Sequence, residues 1–195
     1  MDHPAERDRA EYAFVLTSAK PIAPSPNLIV TKLPDATPGI ISMYALSDEQ
    51  ALLAVIRYNR LLDIFTGAVC YSLQSHLRSH VPEMGQVETD EVYVGVDRLG
   101  VQYVFPVQAK GGKDRIEVVQ IEQDLRLCQR KFSKLLARPV AAKFVAGGAI
   151  AMFELCETAA GIEVIREKHY RLVPPDGLSD DDLSSYRKEL GRTDS

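Results

Sequence analysis

The chain has 195 residues (21.6 kDa), of which 46% are apolar, 26% charged and 7% aromatic, with a net charge of −4 and a pI near 5.6. That composition excludes a disordered, collagen-like or disulfide-stapled protein, and a chain of this length buries roughly 70% of its unfolded surface in one sizeable core. The negative charge disfavours a protein that coats nucleic acid non-specifically, and no apolar run nears the roughly 18 residues that span a bilayer, so no membrane partner is expected.

Residues 1–45 read as an irregular, proline-rich lead-in. Its short strand candidates, Val15-Leu16 and residues 28–30, are broken by Pro21, Pro24, Pro26, Pro34 and Pro38, each of which fixes φ and removes a ladder donor. Ser47-Asp48-Glu49-Gln50 has the form of a capping box, its acids at the helix's positive end. It opens a predicted helix through Leu52, Val55, Ile56, Leu62 and Phe65, which stops at Gly67. The spacing of Leu73 and Leu77 predicts a second helix over residues 69–80, which would set His76 and His80 one turn apart. Then the period changes. Residues 92–96 and 101–107 read as two strands joined by the turn Asp97-Arg98-Leu99-Gly100, with Pro106 expected to force a bulge or irregular pairing. Beyond Gly111-Gly112, the residues Val118, Ile121, Leu125, Cys128 and Phe132 form one stripe of an amphipathic helix predicted over 116–134. Three strand-like runs follow Pro139, at 140–145, 149–156 and 162–171, with Gly147-Gly148 as a hairpin turn. Past Pro174-Pro175, a short acidic helix starts at Ser179. The expected organisation is a lead-in over 1–45 packed on the core, an α/β domain over 46–175, and an acidic helix or tail over 176–195.

Cys70, Cys128 and Cys156 are widely spaced, with no CxxC or Cys/His cluster. Reduced thiols in a cytoplasmic protein fit this better than structural zinc. Residues 1–11 are charged and carry no secretory-signal pattern. Gly111-Gly112-Lys113 lacks the spacing of a P-loop.

The chemistry-bearing segment surrounds the hairpin. Gln108 and Lys110 are two apart on one predicted strand and share a face, as do Glu88 and Asp90 ahead of its partner. Pairing about Leu99 brings Asp90 to the same sheet end as Gln108 and Lys110. An acid, an amide oxygen and an ammonium there suit a hard divalent ion, or a water held against a phosphodiester. This pattern, Asp90 ahead of one strand and Gln108-Ala109-Lys110 closing the next with an amphipathic helix after it, resembles the PD-(D/E)xK nuclease superfamily in a Gln-x-Lys variant. The resemblance covers roughly residues 47–155. It implies a restriction-endonuclease-like α/β fold, a mixed sheet flanked by helices, and a metal-dependent endonuclease that hydrolyses DNA with Mg²⁺ or Mn²⁺. It also implies Asp90 as principal metal ligand and Gln108 and the Ala109 carbonyl as further oxygen donors. Lys110 is implied as the group that orients water or stabilises phosphate charge. Gln108 leaves the site one anion short unless Glu88, Glu91 or a helix acid compensates; Asp63, on the opening helix, is the candidate third acid.

Basic residues gather after the motif. Lys113 and Arg115, and then Arg126, Arg130 and Lys134 at i, i+4, i+8 opposite the apolar stripe, would track a phosphate backbone; the bland alternative is a solubilising helix surface. An enzyme this small that cuts both strands of a duplex would act as a homodimer. Restriction, defence or repair are the natural settings, with a methyltransferase or a defence or repair protein as partner. The alternative is a nuclease-fold chain that has lost catalysis and serves as a DNA-binding or complex-forming subunit; a purely structural interaction domain is a third reading. His76 and His80 read as surface residues. Arg57, Asn59 and Arg60 have three roles open: DNA contact, bonding the lead-in, or a dimer contact.

Overall fold

A computed structural model describes residues 21–44, 48–82 and 84–193. The Val15-Leu16 strand candidate and the capping residue Ser47 lie outside these. In chain order the elements are β1 (Val30–Pro34), α1 (Gly39–Tyr44), α2 (Asp48–Tyr58), α3 (Leu61–Thr66), β2 (Ala68–Val81), β3 (Gly85–Asp97) and β4 (Gln102–Lys110). They continue with α4 (Val118–Lys131), β5 (Leu136–Ala137), β6 (Val140–Val145), β7 (Ala149–Thr158), β8 (Gly161–Val173) and α5 (Asp180–Thr193). The fold is α/β with one mixed sheet in the order β1-β8-β7-β6-β4-β3-β2, and β5 beside β4. β6 runs parallel to β4, and β1 parallel to β8; the other neighbours on that path are antiparallel.

The alternation of β4 divides the core. Phe105, Val107 and Ala109 meet Leu52, Ile56, Leu61 and Phe65 of α2 and α3 on one face. Val104 meets Leu127 and Cys128 of α4 on the other, and Ile121 of the same helix packs on Ala141 and Phe153. Residues 104–109 are buried without interruption because helices cover both faces of the sheet. The predicted stripe on α4 is the buried one, at Ile121, Leu125 and Cys128. The helix ends three residues earlier than expected, so Lys134 lies past it.

Three expectations are corrected. Residues 69–80 are not a helix but lie within β2, paired antiparallel with β3. A β-bulge between Ser72 and Gln74, and His76 at φ 49°, break the strand's alternation; Leu73 is exposed and Leu77 buried, at the spacing of a helix. Pro106 causes no bulge toward β3, where it pairs with Val92 in unbroken register; the irregular pairing expected there falls on the other side of the strand. On its other side β4 passes from β5 (at Tyr103 and Val104) to β6 (from Val107), so the proline sits where no ladder donor is needed. Finally, the opening helix is two. Arg60, at φ 53°, breaks it, and Gly67 at φ 72° ends α3 with its N–H on the Asp63 carbonyl. Asn59 accepts from the Ala36 N–H (2.7 Å) and donates to Thr37 Oγ1 (2.8 Å), so among its three open roles it bonds the lead-in.

Candidate active site

β3 pairs with β4 as far as Glu91 opposite Val107 and then leaves it. Where the next ladder bond would fall, the Ala109 N–H instead donates to Asp90 Oδ2 at 2.9 Å. A carboxylate thus takes the place of a backbone acceptor between Gln108 and Lys110. The N–H and C=O of a strand residue point to the same side, so the Ala109 carbonyl faces the gap that β3 leaves. Burial raises the Asp90 carboxyl above its usual range, opposed by the Ala109 N–H and the Lys110 ammonium.

Gln108 turns toward α4, where its Nε2 donates to Asp124 Oδ2 at 2.7 Å. The second Asp124 oxygen accepts from Thr89 Oγ1 at 2.5 Å. Asp124 is 1% exposed, and burial pushes its carboxyl up to about 7 against the two hydrogen bonds that favour the anion. The Gln108 amide nitrogen is thereby committed to Asp124. At the open end, Lys110 Nζ lies 3.8 Å from Glu49 Oε1 in the first turn of α2.

The hairpin therefore joins Asp90, Gln108, Ala109 and Lys110, and adds Asp124, Thr89 and Glu49, none of which sequence reasoning singled out for the site. Asp124 carried a signal: it lies three residues after Ile121 and four before Cys128, an acid inside the apolar stripe. The other acids go elsewhere. Asp63 accepts from Arg60 (2.6 Å) and from the Cys70 N–H (2.8 Å) at the junction of α3 and β2, so it is not the third acid. Glu91, fully buried, takes Arg57 Nη2 (2.6 Å) and Ser72 Oγ (2.6 Å). Glu88 is exposed and binds Arg78 (2.8 Å) and His76 (3.3 Å). His76 and His80 are exposed strand residues. Of the basic set, Lys113, Arg115, Arg130 and Lys134 are exposed, whereas Arg126 is tied to Glu157 (Nη1 to Oε2, 3.0 Å). No group of three or more His, Cys, Asp or Glu side chains among the described residues is arranged to hold a metal ion.

The chain matches no known family model, no curated protein and no solved structure.

Proposed function

We propose that the corner formed by Asp90, Gln108 and Lys110 hydrolyses phosphodiester bonds, and that the protein is a metal-dependent DNA endonuclease of restriction-endonuclease-like fold. The carrying observation is the Asp90 carboxylate fastened to the backbone between Gln108 and Lys110. The order of elements lends support: helices before the motif, the motif on a hairpin, then α4 on the sheet and β6 returning parallel beside β4.

The donor chemistry fits a hard divalent cation. Asp90, the Gln108 amide oxygen and the Ala109 carbonyl would hold it, all through oxygen. When bound, such an ion supplies Lewis acidity toward the phosphate and a more acidic water. The chain's own groups do the rest. Lys110, mostly buried beside Glu49, presents a compact positive charge where the phosphate oxygens gain negative charge in the transition state. Thr89 and Asp124 fix the Gln108 amide, so that its oxygen rather than its nitrogen meets the ion. Asp124 is also the helix acid that compensates for the neutral Gln108: a cation nearby favours its anion and returns the charge that glutamine lacks.

Cutting of supercoiled plasmid with Mg²⁺ or Mn²⁺ tests this. Asp90→Ala and Lys110→Ala should each slow cleavage by about 100-fold or more. Cleavage that both variants leave intact, or none by the wild-type protein, overturns the reading. Cutting both strands would call for two copies of the chain. The neutral Gln108 and the net charge of −4 favour the second reading, a DNA-binding or complex-forming subunit without catalysis. Calorimetric titration with Mn²⁺ separates the two, because only the enzyme should show heat that Asp90→Ala removes.

A further inference from the structure

The cations that adjoin the candidate site lie on a loop, not on α4. Lys110 runs into Gly111-Gly112, after which Lys113 and Arg115 stand exposed. Lys143, paired across the sheet with Lys110, fastens this loop by donating to the Gly112 and Asp114 carbonyls. Opposite stands the lead-in, held by the Ile22 N–H on the Ile116 carbonyl at 3.0 Å. Between them is a groove of about 550 Å³. Its lead-in wall is apolar (Pro21, Ile22, Pro24) and its loop wall carries Lys113, Arg115 and Lys143, with Asp114 the one acid among the described lining residues.

We infer that this groove takes a single polynucleotide strand next to the bond cut at Asp90 and Lys110, so that the substrate is a single-stranded end, flap or gap rather than intact duplex. The inference rests on reading that corner as a phosphodiester site. Charge is the first argument: three cations against one acid suit a phosphate backbone, in a molecule whose net charge of −4 repels it elsewhere. Shape is the second. The groove lies between two walls bridged by the Ile22 to Ile116 hydrogen bond, a spacing that suits one strand better than the wider double helix, and its proline and isoleucine wall offers apolar surface to sugar and base. Its volume falls within the ~300–1,000 Å³ of pockets that bury a small organic ligand. Continuity is the third, since Gly112 and Lys143 line the groove, the one two residues past Lys110 along the chain and the other paired with it across the sheet. The α4 stripe offers none of this, and its Arg126 is already bound by Glu157.

Fluorescence anisotropy of the full chain with a labelled oligothymidylate and a hairpin duplex, in EDTA so that cutting is off, tests the groove. The single strand should bind more tightly. Lys113→Ala/Arg115→Ala should weaken it about tenfold and flatten the log–log salt slope by about 1.4, at about 0.7 per lost phosphate contact. Ala23→Glu, an anion placed on the exposed lead-in wall, should weaken it too, while Arg130→Ala/Lys134→Ala should not. Equal affinity for duplex and single strand, or no effect of the groove variants, overturns the inference. The two readings fail separately. Groove-dependent binding without any Mn²⁺-dependent cutting sinks the hydrolase alone; cutting that needs Asp90 but ignores the groove variants sinks the groove alone.

Discussion

Asp90 and Glu91 are chain neighbours whose carboxylates meet opposite circumstances where β3 parts from β4. Asp90 keeps one oxygen on a backbone N–H and faces the gap, whereas Glu91 is fully buried on the side of α2. There Arg57 and Ser72 satisfy Glu91 Oε1, while its Oε2 and the Tyr93 hydroxyl are buried without a partner among the described residues. An anion so placed depends on its counter-ion, since removing one partner of a buried pair leaves the other charge uncompensated. Arg57→Ala should therefore destabilise the fold by about 2 kcal/mol, below the full cost of a buried pair because Arg57 is half exposed. Glu91→Gln in that background should recover most of the loss in urea denaturation. Additive effects of the two changes would show that the charge is not the cause. None of this was legible in the sequence, where Glu91 was one acid in the run Glu88-Thr89-Asp90-Glu91. Period-2 alternation says which residues share a face only while the strand is regular, and this run spans the point where β3 leaves its partner. The Asp90 and Lys110 relation was legible because it depends only on hairpin register, which the Asp97 to Gly100 turn fixes.

At the scale of elements, β3 is the crowded centre of the β2–β3–β4 meander, and Gly95 is what lets the three strands close. A methyl group there would lie 2.9 Å from Phe105 Cε2, 3.0 Å from the Val69 carbonyl oxygen and 3.1 Å from Cys70 Sγ. The carbonyl cannot rotate away. Gly95→Ala should cost about 2 kcal/mol by overpacking and lower Tm by about 6 °C, read from a thermal melt. An unchanged Tm would mean that the meander has slack there. The hairpin and α4 were readable because each keeps a single period against one partner. β2 was not, because the bulge at Ser72 and Gln74 and the left-handed His76 shift its phase. Leu73 and Leu77 then fall on different sides of a strand at a spacing that mimics one helix face. Lys134 leaves the helical stripe for a simpler reason: α4 ends at Lys131, and the i, i+4, i+8 spacing places residues on one face only within the helix.

At the scale of the whole molecule, the described residues form one sheet with two edges, treated differently. At β2 the bulge and the left-handed His76 disrupt the outer strand, a common defence against strand addition. At β1 the defence is α5. Ser179 caps this helix, its Oγ accepting the Asp182 N–H at 3.2 Å, and the Asp182 carboxylate reaches Lys32 Nζ at 2.7 Å. Tyr186 then places its hydroxyl on the edge, accepting the Lys32 N–H and donating to the Lys32 carbonyl, both at 3.0 Å. One side chain thereby occupies the donor and acceptor that another strand would use. Lys32 first, then Ser179, hold the Asp182 carboxyl down to about 2, below its usual value near 4. A carboxyl lowered in the folded state stabilises it above the unfolded value, and that contribution is lost as pH falls from about 4 toward 2. Docking of α5 should follow the same window. Hydrogen exchange followed by NMR would report it at the Lys32 amide: protection should be full at neutral pH, fall between about pH 4 and 2, and show no such step in Asp182→Ala. Tyr186→Phe should lower protection of that amide at every pH while leaving the β4 amides unchanged. A Lys32 amide equally protected in wild-type and Tyr186→Phe proteins would mean that something other than the tyrosine hydroxyl guards this edge.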